Sequence, residues 1–277
     1  MPVVTTLRHL RHGPLKRLGP VWTALGDLYR TGLRVTGASR PTAHRIGGYG
    51  PFLLHGEFTF SDFEHWGRGH NRGFASCIEA CRGKRCVVDV GAHIGLVTLP
   101  MSSVIADGGW VYAFEPAAAN LERLREHLAF NDVRNVEAVD ALVGADDRDA
   151  VLFFEQRRAA GQNSIVVKKN PESYFATRRR QISLDGFCGA RGIAPEVIKI
   201  DVEGGEIGVL EGGRDTLGRR RPLIFLSVHP VELGLLGRTA DELAGLIDDL
   251  GYDCRDVDGN AVESFRLDEY VLTPRQQ

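Results

Sequence analysis

From Phe74 onward the chain alternates short apolar runs with segments of helical periodicity, and this alternation limits the fold more than any other feature. The runs are Cys86–Val90, Trp110–Phe114, Val136–Asp140, Val197–Asp201 and Leu223–Val228, with two more at Tyr252–Val257 and Glu269–Thr273. Each is bounded by polar or glycine residues, as buried strands are. Between them Ile94–Ala106, Ala117–Asn131, Glu206–Leu217 and Thr239–Leu250 carry helical patterns. In the last of these Leu243, Leu246, Ile247 and Leu250 share one face, and Thr239 with Glu242 forms a capping box. Strands that alternate with helices pair in parallel, and their crossovers cover both faces. The expectation is an α/β fold: a doubly wound, Rossmann-like sheet, mostly parallel.

In such sheets ligands bind beyond the carboxyl ends of the strands. The residues found there are informative. After the first run comes Asp89-Val-Gly91-Ala-His93-Ile-Gly95, in which the glycines allow a tight turn and close approach to a ligand. A following helix start offers free N–H groups to an anion. The loop has G-x-x-x-G rather than G-x-G-x-x-G, which argues against a dinucleotide pyrophosphate and for a smaller ligand with an amino acid moiety. The second run ends at Glu115, placed to accept ribose hydroxyls. The third ends at Asp140 and Ala141, an acceptor for an adenine amino group beside room for the ring. Together Asp89, Gly91, His93, Gly95, Glu115, Asp140 and Ala141 outline a site for an adenosine ligand.

At these residues the chain resembles the FkbM family of S-adenosylmethionine-dependent methyltransferases. The strings that carry the resemblance are VVDVGAHIGLVTL (Val87–Leu99), YAFEPAAANLERL (Tyr112–Leu124), ISLDGF (Ile182–Phe187) and VIKIDVEGGEIGVLEGG (Val197–Gly213). They lie within roughly 52–273. The resemblance implies a class I methyltransferase sheet, S-adenosylmethionine as cofactor, and methyl transfer to an oxygen on a sugar, polyketide or other small metabolite. Two positions depart from the family pattern: His93 stands where Asn is usual, and Ser227 where Glu is expected.

Methyl transfer from a sulfonium needs in-line alignment and, for a hydroxyl acceptor, removal of a proton. Asp201 and Glu203 close the fourth run and His229 closes the fifth. If those strands are neighbours the three converge, and the base or its orienting partner is expected among them. Alternation puts Lys199 and Asp201 on one face and Ile198 and Ile200 on the other. Glu206 reads equally as a first-turn acid of the next helix. A divalent ion held by Asp201, Glu203, His229 and Asp185 is the less favoured alternative, because no HExxH-like spacing occurs. A nicotinamide-dependent oxidoreductase and a non-catalytic cofactor-binding scaffold remain as other readings of the same fold.

The rest of the chain adds organisation. Residues 1–46 form a basic leader with Arg8, Arg11, Lys16, Arg17, Arg30, Arg34, Arg40 and Arg45 against the lone acid Asp27, and a short helix is expected near Val21–Tyr29. Such a leader reads as a solvated, partly mobile extension. Residues 47–277 are expected to form the methyltransferase domain. Within it 47–73, with Phe58, Phe60, Phe63 and Trp66, reads as a lid or as ordinary core. Residues 151–183 read as an insertion of short strands that shapes the acceptor pocket. The cysteines are five, an odd count with no CxxC pair; Cys77 and Cys81 lie one helical turn apart and read as buried small apolar residues. No apolar run approaches the roughly 18 residues of a membrane span, and no secretory signal is evident, so a cytoplasmic protein is expected. The expected partner is a small hydroxylated acceptor rather than nucleic acid, with self-association left open.

Overall fold

The computed structural model describes residues 40–69, 71–166 and 171–276. At its centre is a seven-stranded sheet built from β3 (Cys86–Val90), β4 (Trp110–Phe114), β5 (Val136–Val139), β9 (Val197–Ile200), β10 (Leu223–Val228), β11 (Tyr252–Asp256) and β12 (Asp268–Pro274). The order is β11-β12-β10-β9-β3-β4-β5. The chain runs outward from β3 through β4 to β5, then returns to β9 on the other flank of β3. This places a topological switch point between β3 and β9, where an open α/β sheet forms its ligand crevice. Strands β10, β9, β3, β4 and β5 pair in parallel, and β12 runs antiparallel between β10 and β11.

The seven expected runs all form strands of this sheet, within a residue or so of the expected limits. The strands are apolar because both faces are covered. One face packs Val88, Val90, Ile198, Ile200, Leu226 and Val228 against α5 (Glu206–Glu211), α6 (Arg214–Arg220), α7 (Pro230–Leu235) and α8 (Ala240–Asp249). The other packs Val87, Val111, Ala113 and Val197 against α1 (Phe74–Cys81), α2 (Thr98–Val104) and α3 (Ala118–Phe130). Cys77 and Cys81 are both buried on α1, the helical placement their spacing suggests. The capping box of α8 is present: Glu242 N donates to Thr239 Oγ1 at 3.1 Å and Thr239 N to Glu242 Oε2 at 2.9 Å.

Three elements differ from expectation. The helix expected over Glu206–Leu217 is two helices, α5 and α6, broken at Gly212–Gly213. A Cβ at Gly212 would lie 2.0 Å from the Gly144 carbonyl oxygen, so the break lets the chain pass against β6 (Leu142–Val143). The ISLDGF segment spans the end of β8 (Phe175–Ile182) and the start of a helix not marked out in the sequence, α4 (Leu184–Arg191), with Ser183 accepting from Gly186 N at 3.0 Å as N-cap. Finally, β1 (Thr42–Ile46) and β2 (Tyr49–Leu54) pair as an antiparallel hairpin. The hairpin straddles the boundary expected between 46 and 47, so the folded unit begins before the aromatic segment. The helix expected near Val21–Tyr29 lies outside the described residues.

The insertion at 151–183 does form extra strands. β7 (Arg148–Glu155) and β8 pair antiparallel, β6 adds in parallel, and the three make a small second sheet of order β6-β8-β7. Ser164 adds an isolated antiparallel bridge to Phe154. Among the described residues, no helix is long and apolar enough to cross a membrane.

Candidate active site

A cleft of about 650 Å³ opens at the carboxyl edge of β3, β4, β9 and β10, over the switch point. That volume lies within the range of small-molecule and cofactor sites, roughly 300–1,000 Å³. One end is lined by Gly91, His93, Leu96, Val97, Phe114, Glu115, Ala141 and Val143; the other by Lys199, Asp201, Glu203, Ser227, His229 and Glu269.

The glycine loop is shaped by the neighbouring strand. Gly91 has φ +84°, and a Cβ there would stand 1.8 Å from the Asp201 carbonyl oxygen. Its smallness therefore serves the approach of β3 to β9 directly. His93 follows with φ +52°, and its N–H donates to Glu115 Oε2 at 2.8 Å. Of the five non-glycine residues with positive φ among the described residues, Asn71, His93 and Glu203 line the cleft. Such conformations cost on the order of 1–3 kcal/mol each and gather where geometry is functionally constrained.

Glu115 is buried. Its Oε1 accepts from Ala117 N at 2.9 Å and Asn120 Nδ2 at 3.2 Å, leaving one acceptor direction on Oε2 beside the His93 bond. Burial pushes this carboxyl up to about 7, against the pull of the two backbone N–H groups and Asn120. His93 is held neutral: burial, with Lys199 nearby, lowers it to about 4. Its Nε2 is buried on the cleft wall with no hydrogen-bond partner. A ligand group would satisfy this atom, and apolar walls at Val97, Phe114 and Ala141 would take a flat ring, so the residues present fit a nucleoside ligand.

The other expected positions fall differently. Asp89 is wholly buried beneath the loop; it accepts from Thr98 Oγ1 at 2.7 Å and faces Lys199 Nζ at 3.3 Å. Gly95 packs towards Leu124, and neither residue is part of the cleft lining. Asp140 is exposed at the end of β5, also off the lining, whereas Ala141 is buried against it. The structure thus brings Gly91, His93, Glu115 and Ala141 to one end and leaves Asp89, Gly95 and Asp140 outside. Asp185, the fourth donor weighed for a metal, accepts from Asp215 N and Thr216 N at 2.9 and 2.7 Å and caps α6 instead.

At the acidic end the three residues expected to converge do so, because β9 and β10 are neighbours. His229 Nε2 is 3.7 Å from both Asp201 Oδ1 and Glu203 Oε1. Its Nδ1 donates to Glu206 Oε1 at 2.7 Å. Burial alone would lower the imidazole, but the Glu206 bond and the charges of Asp201, Glu206 and Glu203 outweigh it and raise it to about 9. At neutral pH His229 is therefore a cation, not a ready base. Glu206, fully buried, orients it and also accepts from Gly204 N at 3.0 Å. Lys199, raised by Asp89 and Asp201 despite burial, stands 3.6 Å from Asp201 Oδ2 and donates to the Gly91 carbonyl at 3.2 Å.

Four lining residues were not picked out from the sequence. Asn120 sits on α3 and touches Glu115. Gln162 and Asn163 come from the insertion. Glu269, the second residue of β12, lies directly opposite Ser227 in the register, and it accepts from Gly73 N at 2.7 Å. An acid of the adjacent strand thus lies beside position 227, where the family resemblance implies Glu. The alternation Glu269, Val271, Thr273 against buried Tyr270 and Leu272 was the available signal. Of the four aromatics weighed as a lid, Trp66 lines the cleft, while Phe63 is core and Phe58 packs at its edge.

A model of the methyltransferase FkbM domain matches residues 89–254, more than half of the chain. The chain belongs to the FkbM methyltransferase family. Family membership implies S-adenosylmethionine as methyl donor. The chain is 26% identical over 147 residues to a protein named Methyltransferase 1 from Beauveria bassiana (strain ARSEF 2860), covering 46% of this chain and 57% of that protein. The FkbM methyltransferase of Methylobacillus flagellatus KT is 20% identical, with a TM-score of 0.44 over 69% of this chain and 44% of that one. M. jannaschii TYW2, solved in complex with AdoMet, is 15% identical with a TM-score of 0.42, over 85% and 84%.

Proposed function

We propose that this FkbM methyltransferase is an O-methyltransferase acting on a hydroxyl of a small, sugar-like or polyketide-like metabolite. The observation that carries this reading is the two-ended cleft, with a nucleoside-shaped end at Glu115 and an acid cluster at Asp201, Glu203 and His229. S-adenosylmethionine would be held by the Gly91–His93 backbone, Glu115 and the wall at Ala141. When bound it supplies an electrophilic methyl group.

The chain's own residues would do the rest. Glu115 would accept a ribose hydroxyl through its remaining Oε2 lone pair. The carboxylates Asp201 and Glu203 would accept the hydrogen bond of the acceptor hydroxyl, and one of them its proton as the new bond forms. His229, cationic between them, would fix their spacing while Glu206 fixes His229. The walls and Trp66 would exclude water from the reacting groups.

The test is methyl transfer from labelled S-adenosylmethionine to a panel of neutral sugars and hydroxylated polyketides. With an accepted substrate, Asp201→Asn and Glu203→Gln are expected to lower kcat by on the order of 10²–10⁴ for whichever is the base, with donor affinity nearly intact. Label found on nitrogen or carbon of the product, or full turnover in both variants, would overturn the reading.

A further inference from the structure

The cleft is bridged by a loop from the insertion, 156–163, whose ends touch both halves of the site. The loop leaves β7 and closes through the Phe154–Ser164 bridge, with both backbone bonds made at 2.8 and 3.0 Å. Inside it Asn163 Oδ1 accepts from Gln156 N at 2.9 Å, and Asn163 Nδ2 donates to the Ala160 carbonyl at 3.0 Å. Gly161, Gln162 and Asn163 line the cleft.

At the cofactor end the loop is held by Asn120, which is 2% exposed. Its Oδ1 accepts from Ala160 N at 2.9 Å, and its Nδ2 donates both to the Ala160 carbonyl at 3.0 Å and to Glu115 Oε1 at 3.2 Å. The side-chain amide therefore pairs with the Ala160 backbone as a strand would, and spends its remaining donor on Glu115. At the acid end Ser164, 1% exposed, donates its hydroxyl to the Glu203 carbonyl at 2.6 Å and accepts from Val166 N at 3.1 Å. Glu203, like His93, is a cleft residue with φ +52°.

We propose that Asn120 and Ser164 are positioning residues that make loop 156–163 a strut, setting Glu115 at one end of the cleft against Glu203 at the other. This rests on the reading of Glu115 as a cofactor ligand and Glu203 as an acid of the reacting end. Asn120 acts through Glu115 and through closure of the loop over the donor. Ser164 acts through the backbone of Glu203, away from the donor. The two ends thus have separable consequences, which simple destabilisation would not produce.

The experiment uses the full chain with S-adenosylhomocysteine as probe, measuring its affinity by calorimetry and backbone amide exchange by mass spectrometry. Asn120→Ala is expected to weaken the probe roughly tenfold, as loss of a buried hydrogen-bond set does, and to speed exchange across 156–163. Ser164→Ala is expected to leave probe affinity within about twofold while speeding exchange at Glu203–Gly205, since the donor does not meet that bond. Ser164→Thr, which keeps the hydroxyl, is expected to match the parent. Glu115→Gln separates the underlying reading. Unchanged probe affinity in that variant removes Glu115 from the donor site and the proposal with it. Weakened affinity in Glu115→Gln, but unaltered loop exchange in Asn120→Ala, overturns the strut alone. Equal losses of affinity in Asn120→Ala and Ser164→Ala, tracking a common fall in Tm, overturn it as well.

Discussion

His229 shows how far a residue's environment moves it from its ordinary chemistry. Free imidazole titrates between neutral and charged forms near pH 6.5, which makes His the usual base. Here Glu206 at 2.7 Å and two further carboxylates at 3.7 Å raise it to about 9. The folded state therefore holds this proton more tightly than the unfolded chain does. The stabilisation is complete below about pH 6.5 and is lost as pH rises through about 9. The difference is on the order of 3 kcal/mol. Urea titrations of the parent and of His229→Gln should accordingly converge between pH 6.5 and 9.5, and a constant gap would refute the charge assignment. Turnover should show no rising limb at pH 6–7, and should instead decline near 9 as the cation between Asp201 and Glu203 is discharged. His93 is the complementary case. It stands where the family resemblance implies Asn, and its φ of +52° is a conformation that Asn and His adopt more readily than most non-glycine residues. The conformation was not legible in the sequence, because it is imposed by the bond to Glu115 and by the passage of β9 beneath Gly91. The convergence of Asp201, Glu203 and His229 was legible only on the condition that the fourth and fifth strands are neighbours, and β9 and β10 meet it.

At the scale of elements, periodicity alone recovered the central sheet, since buried parallel strands leave a plain apolar signature. What it missed were elements defined by local backbone chemistry. The β1–β2 hairpin turns at Gly47–Gly48, a two-residue signal between short runs that the surrounding Arg45 and Pro51 obscure. The helix break at Gly212–Gly213 answers to Gly144, a contact across sixty-odd positions that no local pattern contains. Asp140 fell off the site for a related reason: a strand-end acid marks the sheet edge, but the side chain's direction depends on the turn into β6. The α8 capping box is the opposite case, a tertiary fact written in four residues. Thr239→Ala removes the acceptor for Glu242 N and the partner that holds Glu242 in place. It should cost about 0.5–2 kcal/mol in denaturant unfolding. Because no residue of α8 lines the cleft, S-adenosylhomocysteine affinity should stay at the parent value. A coupled loss of affinity would show that this helix communicates with the site.

For the molecule as a whole, the question is how the N-terminal hairpin, which precedes the family-matched residues, joins the rest. One connection runs through His127 on α3, which is fully buried. Its Nδ1 lies 2.8 Å from the Ile94 carbonyl in the glycine loop, and its Nε2 lies 2.9 Å from the His55 backbone N–H beyond β2. One neutral tautomer satisfies both contacts, with Nδ1–H donating and Nε2 accepting. Burial, aided by His55 and Arg123, lowers the imidazole to about 4 despite the Ile94 bond. A proton on Nε2 would remove the acceptor that the hairpin uses. Since the folded value lies below the unfolded 6.5, this joint contributes fully above about pH 6.5 and is lost as pH falls through about 4. His127→Leu leaves two buried backbone groups unpaired, so it should destabilise the protein by about 2–5 kcal/mol at pH 7. The gap to the parent should then narrow by about 2–3 kcal/mol at pH 4.5, where the parent has itself lost most of the contribution. Amide exchange at His55 should quicken in the variant at pH 7, and quicken in the parent on acidification. A parent and variant that lose stability in parallel from pH 7 to 4.5 would place the acid-sensitive joint elsewhere in the fold.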